Sequence, residues 1–91
     1  MSSANMHRIE YTPRYIASFK KLPKEIKQKT LRKEKLFLVN PFDARLKTHK
    51  LHGVLSDHLS FLIDYRYRVM FRFIDAHSAL FFDVGTHQLY Q

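Results

Sequence analysis

Ninety-one residues, 45% of them hydrophobic and eight of them phenylalanine, can bury one modest core, and no long polar or Gly/Ser-rich stretch divides them, so one domain spanning 1–91 is expected. Sixteen Lys and Arg against eight Asp and Glu give a net charge of +8, which calls for a polyanionic or acidic partner, although a solvated basic surface is the plainer alternative. Zero cysteines exclude a disulfide framework, and no run approaches the roughly 18 apolar residues of a membrane span.

The first five residues carry no apolar export core and read as a disordered extension, with Met6 an alternative start. A soluble, cytoplasmic protein with no membrane partner is the expectation. Residues 7–11 alternate polar with apolar and form a first strand. Thr12 then fits an N-cap with Pro13 at the first helical position. Tyr15, Phe19 and Leu22 fall on one stripe at helical spacing, and Pro23 ends that helix and starts another. The run 24–39 holds no Gly or Pro and many straight-chain residues, so a second helix follows. Ile26, Thr30 and Phe37 share one of its faces, while Leu31 and Leu38 sit well around from them.

Asn40-Pro41 closes the helical pair, because the residue before proline is pushed out of the α region. Residues 42–57 show little periodicity and read as a long loop with a short strand, carrying the basic cluster Arg45, Lys47, His49, Lys50 and His52. Alternation resumes over 58–64, with Leu59, Phe61 and Ile63 inward. Tyr65-Arg66-Tyr67-Arg68-Val69-Met70-Phe71-Arg72-Phe73 is the central strand, with Tyr67, Val69, Phe71 and Phe73 on one side and Arg66, Arg68, Met70 and Arg72 on the other. A turn at 75–78 leads into a last strand over 79–84, which delivers Gly85-Thr86-His87 to a strand end. The predicted order is β-α-α-β-β-β, an α+β fold.

Several residues suit chemistry, each with a plainer reading beside it. Arg68, held on a mid-strand position, can fork onto a phosphate, or else bridge to Asp64 or Asp83 across strands. His87 follows a glycine at a strand end and can exchange a proton near neutral pH, or is an ordinary surface histidine among six. His49 and His52 have a spacing metal sites use, but no Cys or nearby carboxylate completes a ligand set, so neither metal nor cofactor is expected. The chain has no phosphate-cradling Gly-rich loop and no acyl-transfer nucleophile motif. Tyr65, Tyr67 and Tyr90 are available to stack on bases.

Lys50-Leu51-His52-Gly53, then Asp64-Tyr65-Arg66-Tyr67-Arg68-Val69-Met70-Phe71, then Gly85-Thr86-His87-Gln88-Leu89-Tyr90 resemble the RelE/ParE superfamily of bacterial toxin components, over most of the chain. The resemblance implies a curved antiparallel sheet flanked by a helical hairpin. It implies one half of a type II toxin–antitoxin pair, in which RelE-like members cleave mRNA in the ribosomal A site and ParE-like members poison DNA gyrase. By position, Arg68 matches a phosphate-binding arginine, His87 a catalytic histidine, Tyr90 a terminal aromatic and His49 a further histidine. The pattern is broken on the strand before the arginine strand, where Leu59, Phe61 and Leu62 stand in place of basic residues or a second histidine.

RNA cleavage of this kind needs the ribose 2′-OH activated, the anionic phosphorane stabilised and the leaving 5′ oxygen protonated. Arg68 suits the second task, His87 the third and His49 the first. Arg45, Lys47, Lys50 and Arg66 are assigned to backbone phosphates. The expected partners are an acidic antitoxin segment from a neighbouring gene, mRNA and the ribosome. The alternatives are a gyrase poison and a degenerate toxin kept for antitoxin binding.

Overall fold

The computed structural model describes residues 5–53 and 57–86. The elements run β1 (Arg8–Tyr11), α1 (Pro13–Lys20), α2 (Lys24–Val39), a 3-10 turn (Ala44–Leu46), β2 (His49–Lys50), β3 (Leu59–Leu62), β4 (Tyr67–Asp75) and β5 (Ser78–Thr86). The α+β class, the helical pair within 13–39, the short strand inside the long loop and three sequential antiparallel strands at the end are as the sequence implied. The sheet order is β1-β5-β4-β3-β2. One expectation fails: the sheet is mixed, because β1 runs parallel to β5. Hairpin neighbours pair antiparallel, whereas β1 reaches β5 only after two helices and three strands, a crossover long enough to bring it in parallel.

Thr12 shows how α1 is fixed. Its Oγ1 accepts the Tyr15 N–H (2.9 Å), as an N-cap does, and donates to the Phe82 carbonyl (2.7 Å), so the cap that starts the helix also ties it to β5. Pro13 at the first helical position has its φ already set. On α2 the shared face is the buried one: Ile26, Thr30 and Phe37 point inward, and Thr30 Oγ1 satisfies itself on the Ile26 carbonyl one turn back (2.7 Å).

Phe37 is the centre of the core. Its ring lies 5.3, 4.9 and 5.1 Å from those of Phe61, Phe71 and Phe81, one from each of the three central strands, and all four side chains are fully buried. The contacts to Phe71 and Phe81 are edge-to-face, the arrangement the ring quadrupoles favour by about 0.5–1.5 kcal/mol per pair beyond burial. Met6 is also buried, and its N–H donates to the Leu38 carbonyl (2.8 Å). The proposed extension 1–5 lies, except for Asn5, outside the described residues.

The central strand begins two residues later than its alternation implied. Asp64 Oδ1 accepts the backbone N–H groups of both Arg66 (2.8 Å) and Tyr67 (2.9 Å), which folds 63–66 into the β3–β4 turn. Burial alone would raise the Asp64 carboxyl, but these two donors, with Lys29 nearby, hold it below the usual range. Tyr65 is left 83% exposed at the tip, and Arg66 belongs to the turn rather than to the cationic side of the strand.

Candidate nucleic-acid interface

The sheet has two unlike faces. Val69 and Phe71 of β4 sink into the aromatic core with Tyr67 and Phe73 packed against it, so Arg68, Met70 and Arg72 take the other side. Directly paired residues share a face, and the register therefore lays out two rows there. One runs His49, Ser60, Met70, Asp83 across β2, β3, β4 and β5, and the other runs Leu62, Arg68, Gly85. A bulge in β5 modifies the pattern: Met70 pairs with Asp83 but Phe71 with Phe81, leaving Phe82 as the extra residue. Phe81 and Val84 both face the core in consequence, and Phe82 and Asp83 between them turn to the arginine side.

Arg68 is half-buried as the second residue of β4, not mid-strand as the alternation implied, and is flanked by the apolar Leu62 on one side and by Gly85, which has no side chain, on the other. The two acidic residues on the neighbouring strand and turn have contacts of their own. Asp83 pairs with Arg14 (2.8 Å), and Asp64 caps its turn with Lys29 at 3.9 Å. His49 stands one row along on the same face, about 12 Å from Arg68 at the Cα level given strand spacings of ~4.8 Å and a rise of ~3.4 Å per residue. Its Nδ1 lies 3.0 Å from the Lys47 carbonyl oxygen, which can only accept. Nδ1 therefore carries the proton in the neutral ring, and Nε2 keeps a lone pair for use as a base. His87 and Tyr90 lie outside the described residues. The strand leading to them is described as far as Thr86, which pairs with Tyr67 beside Arg68.

The four residues assigned to backbone phosphates do not form one surface. Arg45 forks onto Asp43, with Nε to Oδ1 at 3.0 Å and Nη2 to Oδ2 at 2.8 Å. Those hydrogen bonds hold the Asp43 carboxyl down at about 2 and raise the guanidinium in turn. Lys47, with φ of 51°, ends the 3-10 turn in the left-handed region and is exposed. Lys50 pairs with the core-facing Leu59, so it projects from the opposite face to His49. Arg66, in the turn, lies over the Tyr67 ring at 5.9 Å.

Residues the sequence reading passed over also belong to this face. Leu59 and Phe61, which stand in place of basic residues of the superfamily, point into the core, and the site-side positions of that strand are Ser60 and Leu62, with His58 just before it. His58 packs edge-on against Phe82 (5.2 Å), with Nδ1 buried and unpartnered among the described residues. Arg14 reaches Asp83 from α1 and lies over Phe82 (5.7 Å). One signal was available: Phe81-Phe82-Asp83-Val84 sets an acidic residue where alternation asks for an inward one, which is how a bulge reads.

Comparison with solved structures bears on this arrangement. A chain of the E. coli DinJ–YafQ toxin–antitoxin complex matches with 24% identity over 89% of this chain and 92% of that one, at a TM-score of 0.68. The toxin–antitoxin complex RelBE2 from Mycobacterium tuberculosis matches at a TM-score of 0.76 with 19% identity, covering 91% and 93% of the two chains. This chain has the RelE/ParE toxin fold. The archaeal RelE–RelB complex from Pyrococcus horikoshii extends the likeness, at a TM-score of 0.71 and 15% identity over 89% of this chain and 94% of that one. No protein-family model and no curated protein matches the sequence. The helical hairpin flanking the sheet is as the resemblance implied, and the arginine-bearing face is as the alternation of the central strand implied.

Proposed function

We propose that the protein is the toxin of a type II toxin–antitoxin pair and that it cleaves mRNA without a metal ion, at the ribosome. The observation that carries this reading is the register Arg68–Gly85, which sets an arginine at the start of β4 beside the last described residues of β5, Gly85 and Thr86, directly before His87 in the sequence. In the proposed reaction His49 Nε2 takes the proton of a ribose 2′-OH, and the freed oxygen attacks the adjacent phosphorus. Arg68 balances the charge that builds on the phosphoryl oxygens. Protonated His87 gives its proton to the departing 5′ oxygen, leaving a 2′,3′-cyclic phosphate and a 5′-hydroxyl. Tyr90 is assigned a place near the same phosphate. Lys47 and Lys50 supply sequence-independent attraction to the backbone.

The antitoxin is proposed as an acidic segment that orders on binding, matching the +8 charge. Among the described residues no helix is long and apolar enough to cross a membrane. The test is to induce Arg68→Ala and His87→Gln separately and map 5′ ends on translated messages, with purified protein and ribosomes assayed in parallel. Cleavage by the parent that is lost in both folded variants supports the reading. Growth arrest by His87→Gln as strong as the parent's, with replication stopping before translation, replaces it by the gyrase-poison reading.

A further inference from the structure

We propose that Arg14 is a second phosphate-binding arginine on the RNA side of the sheet, held in place by Asp83 and Phe82, and that it engages a phosphate next to the one assigned to Arg68. This rests on the RNA-cleavage reading above and adds to it a residue from a helix that reading does not use.

Three observations converge on Arg14. It is the second residue of α1, where a cation opposes the helix macrodipole, and α1 has no acidic residue in its first turn to offset that. Nothing local to the helix holds it there. The partner instead comes from the sheet: Asp83, whose side chain is 3% exposed, accepts the Val84 N–H at Oδ1 (2.8 Å) and pairs through Oδ2 with Arg14 Nε (2.8 Å). A carboxylate taken this far out of water gains little net stability from its ion pair, and apolar residues of the same volume would serve the fold as well. The arrangement makes sense as a device for holding the arginine, because Arg14 itself remains 63% exposed.

The geometry leaves the useful part of the side chain facing outward. The ion pair is made through Nε, and the flat guanidinium lies over the Phe82 ring at 5.7 Å, which is braced on another side by the edge-on His58. The Nη groups, four of the five donors of the guanidinium, have no partner among the described residues. A fork fixed before binding loses less side-chain freedom when a phosphate arrives. Asp83 lies diagonal to Arg68 on the neighbouring strand and on the same face, at the ~7–8 Å expected for such a pair. The two guanidiniums therefore flank one strip of surface, suited to successive phosphates of an extended single strand.

The experiment uses the whole chain and a fluorescent 12-nucleotide RNA carrying 2′-O-methyl groups, which binds but offers no nucleophile. Affinity is measured by anisotropy across a salt series for the parent, Arg14→Gln, Arg14→Lys and Arg68→Ala. Glutamine keeps the stem over Phe82 but not the charge, so the slope of log K against log salt should become shallower by about 0.7, the increment for one phosphate on a single strand, and lysine should restore it. If thermal melts show Arg14→Gln unfolded, the double variant Arg14→Met with Asp83→Leu replaces the ion pair by apolar volume and should show the same loss of slope. An unchanged slope in the neutral Arg14 variants, with a reduced one in Arg68→Ala, overturns the inference and leaves the RNA reading standing. Unchanged slopes in all of them defeat the RNA reading, and this inference with it.

Discussion

The two faces of the sheet are built on opposite principles. On the helix side four phenylalanines from α2, β3, β4 and β5 meet ring to ring and exclude water entirely. On the other side the same strands present Arg68, His58, Ser60, Asp83 and Arg72, and the β5 bulge turns both Phe82 and Asp83 toward it. The first face holds the chain together through close packing, which tolerates little change of volume. The second buries polar and charged groups that do little for stability, which is where functional demands on a fold show themselves. Substitutions on the two faces should accordingly separate stability from activity.

The largest effect belongs to the packed face. Phe37→Ala removes the ring that all three strand phenylalanines touch and should destabilise the fold by about 3–5 kcal/mol, enough to leave little folded protein in a small domain. Denaturant melts check this; a loss below 1 kcal/mol would mean that the cluster is not the core. Arg68→Ala should do the reverse, lowering cleavage on the order of a hundred- to a thousand-fold while the melting temperature stays within a few degrees. A parallel collapse in stability would place Arg68 among the structural residues instead.

Thr12 tests the joint between the faces, since its hydroxyl both caps α1 and binds the Phe82 carbonyl. Thr12→Ala should lower stability by about 1–2 kcal/mol, whereas Thr12→Ser, which keeps both bonds, should be close to neutral. Equal effects of the two changes would show that the methyl group, not the hydroxyl, matters there.

His49→Gln bears on the site alone. If Nε2 is the base, cleavage should fall on the order of a hundred-fold or more, with melts unchanged; an unaltered rate would remove His49 from the mechanism. The smallest effect is at Asp43, whose carboxyl, held at about 2 by Arg45, should return toward ~3.9 in Arg45→Ala, as read by its NMR titration. Because the folded value is depressed, any stability from this pair is present above pH ~4 and is lost as the pH falls toward 2.

Much of this was legible in the residues themselves. Thr12-Pro13, Pro23 and Asn40-Pro41 punctuate the helices by local sterics, and the Leu59-Phe61-Ile63 and Val69-Phe71 alternations mark their inward faces, because period 2 leaves an antiparallel strand no other way to bury apolar residues. The motif around Arg68 led to the RelE/ParE resemblance, and the solved structures bear out that fold. What the sequence could not decide depends on contacts between distant segments. The parallel seat of β1 on β5 follows from a crossover of most of the chain. Arg66 left the cationic strand because Asp64 took the backbone of the turn, and Arg45 is forked onto Asp43, which lies within its reach. Arg14 and Asp83 are 69 positions apart and carry no shared pattern, so only folding α1 onto the bulge of β5 could bring a surface arginine and a buried carboxylate to 2.8 Å.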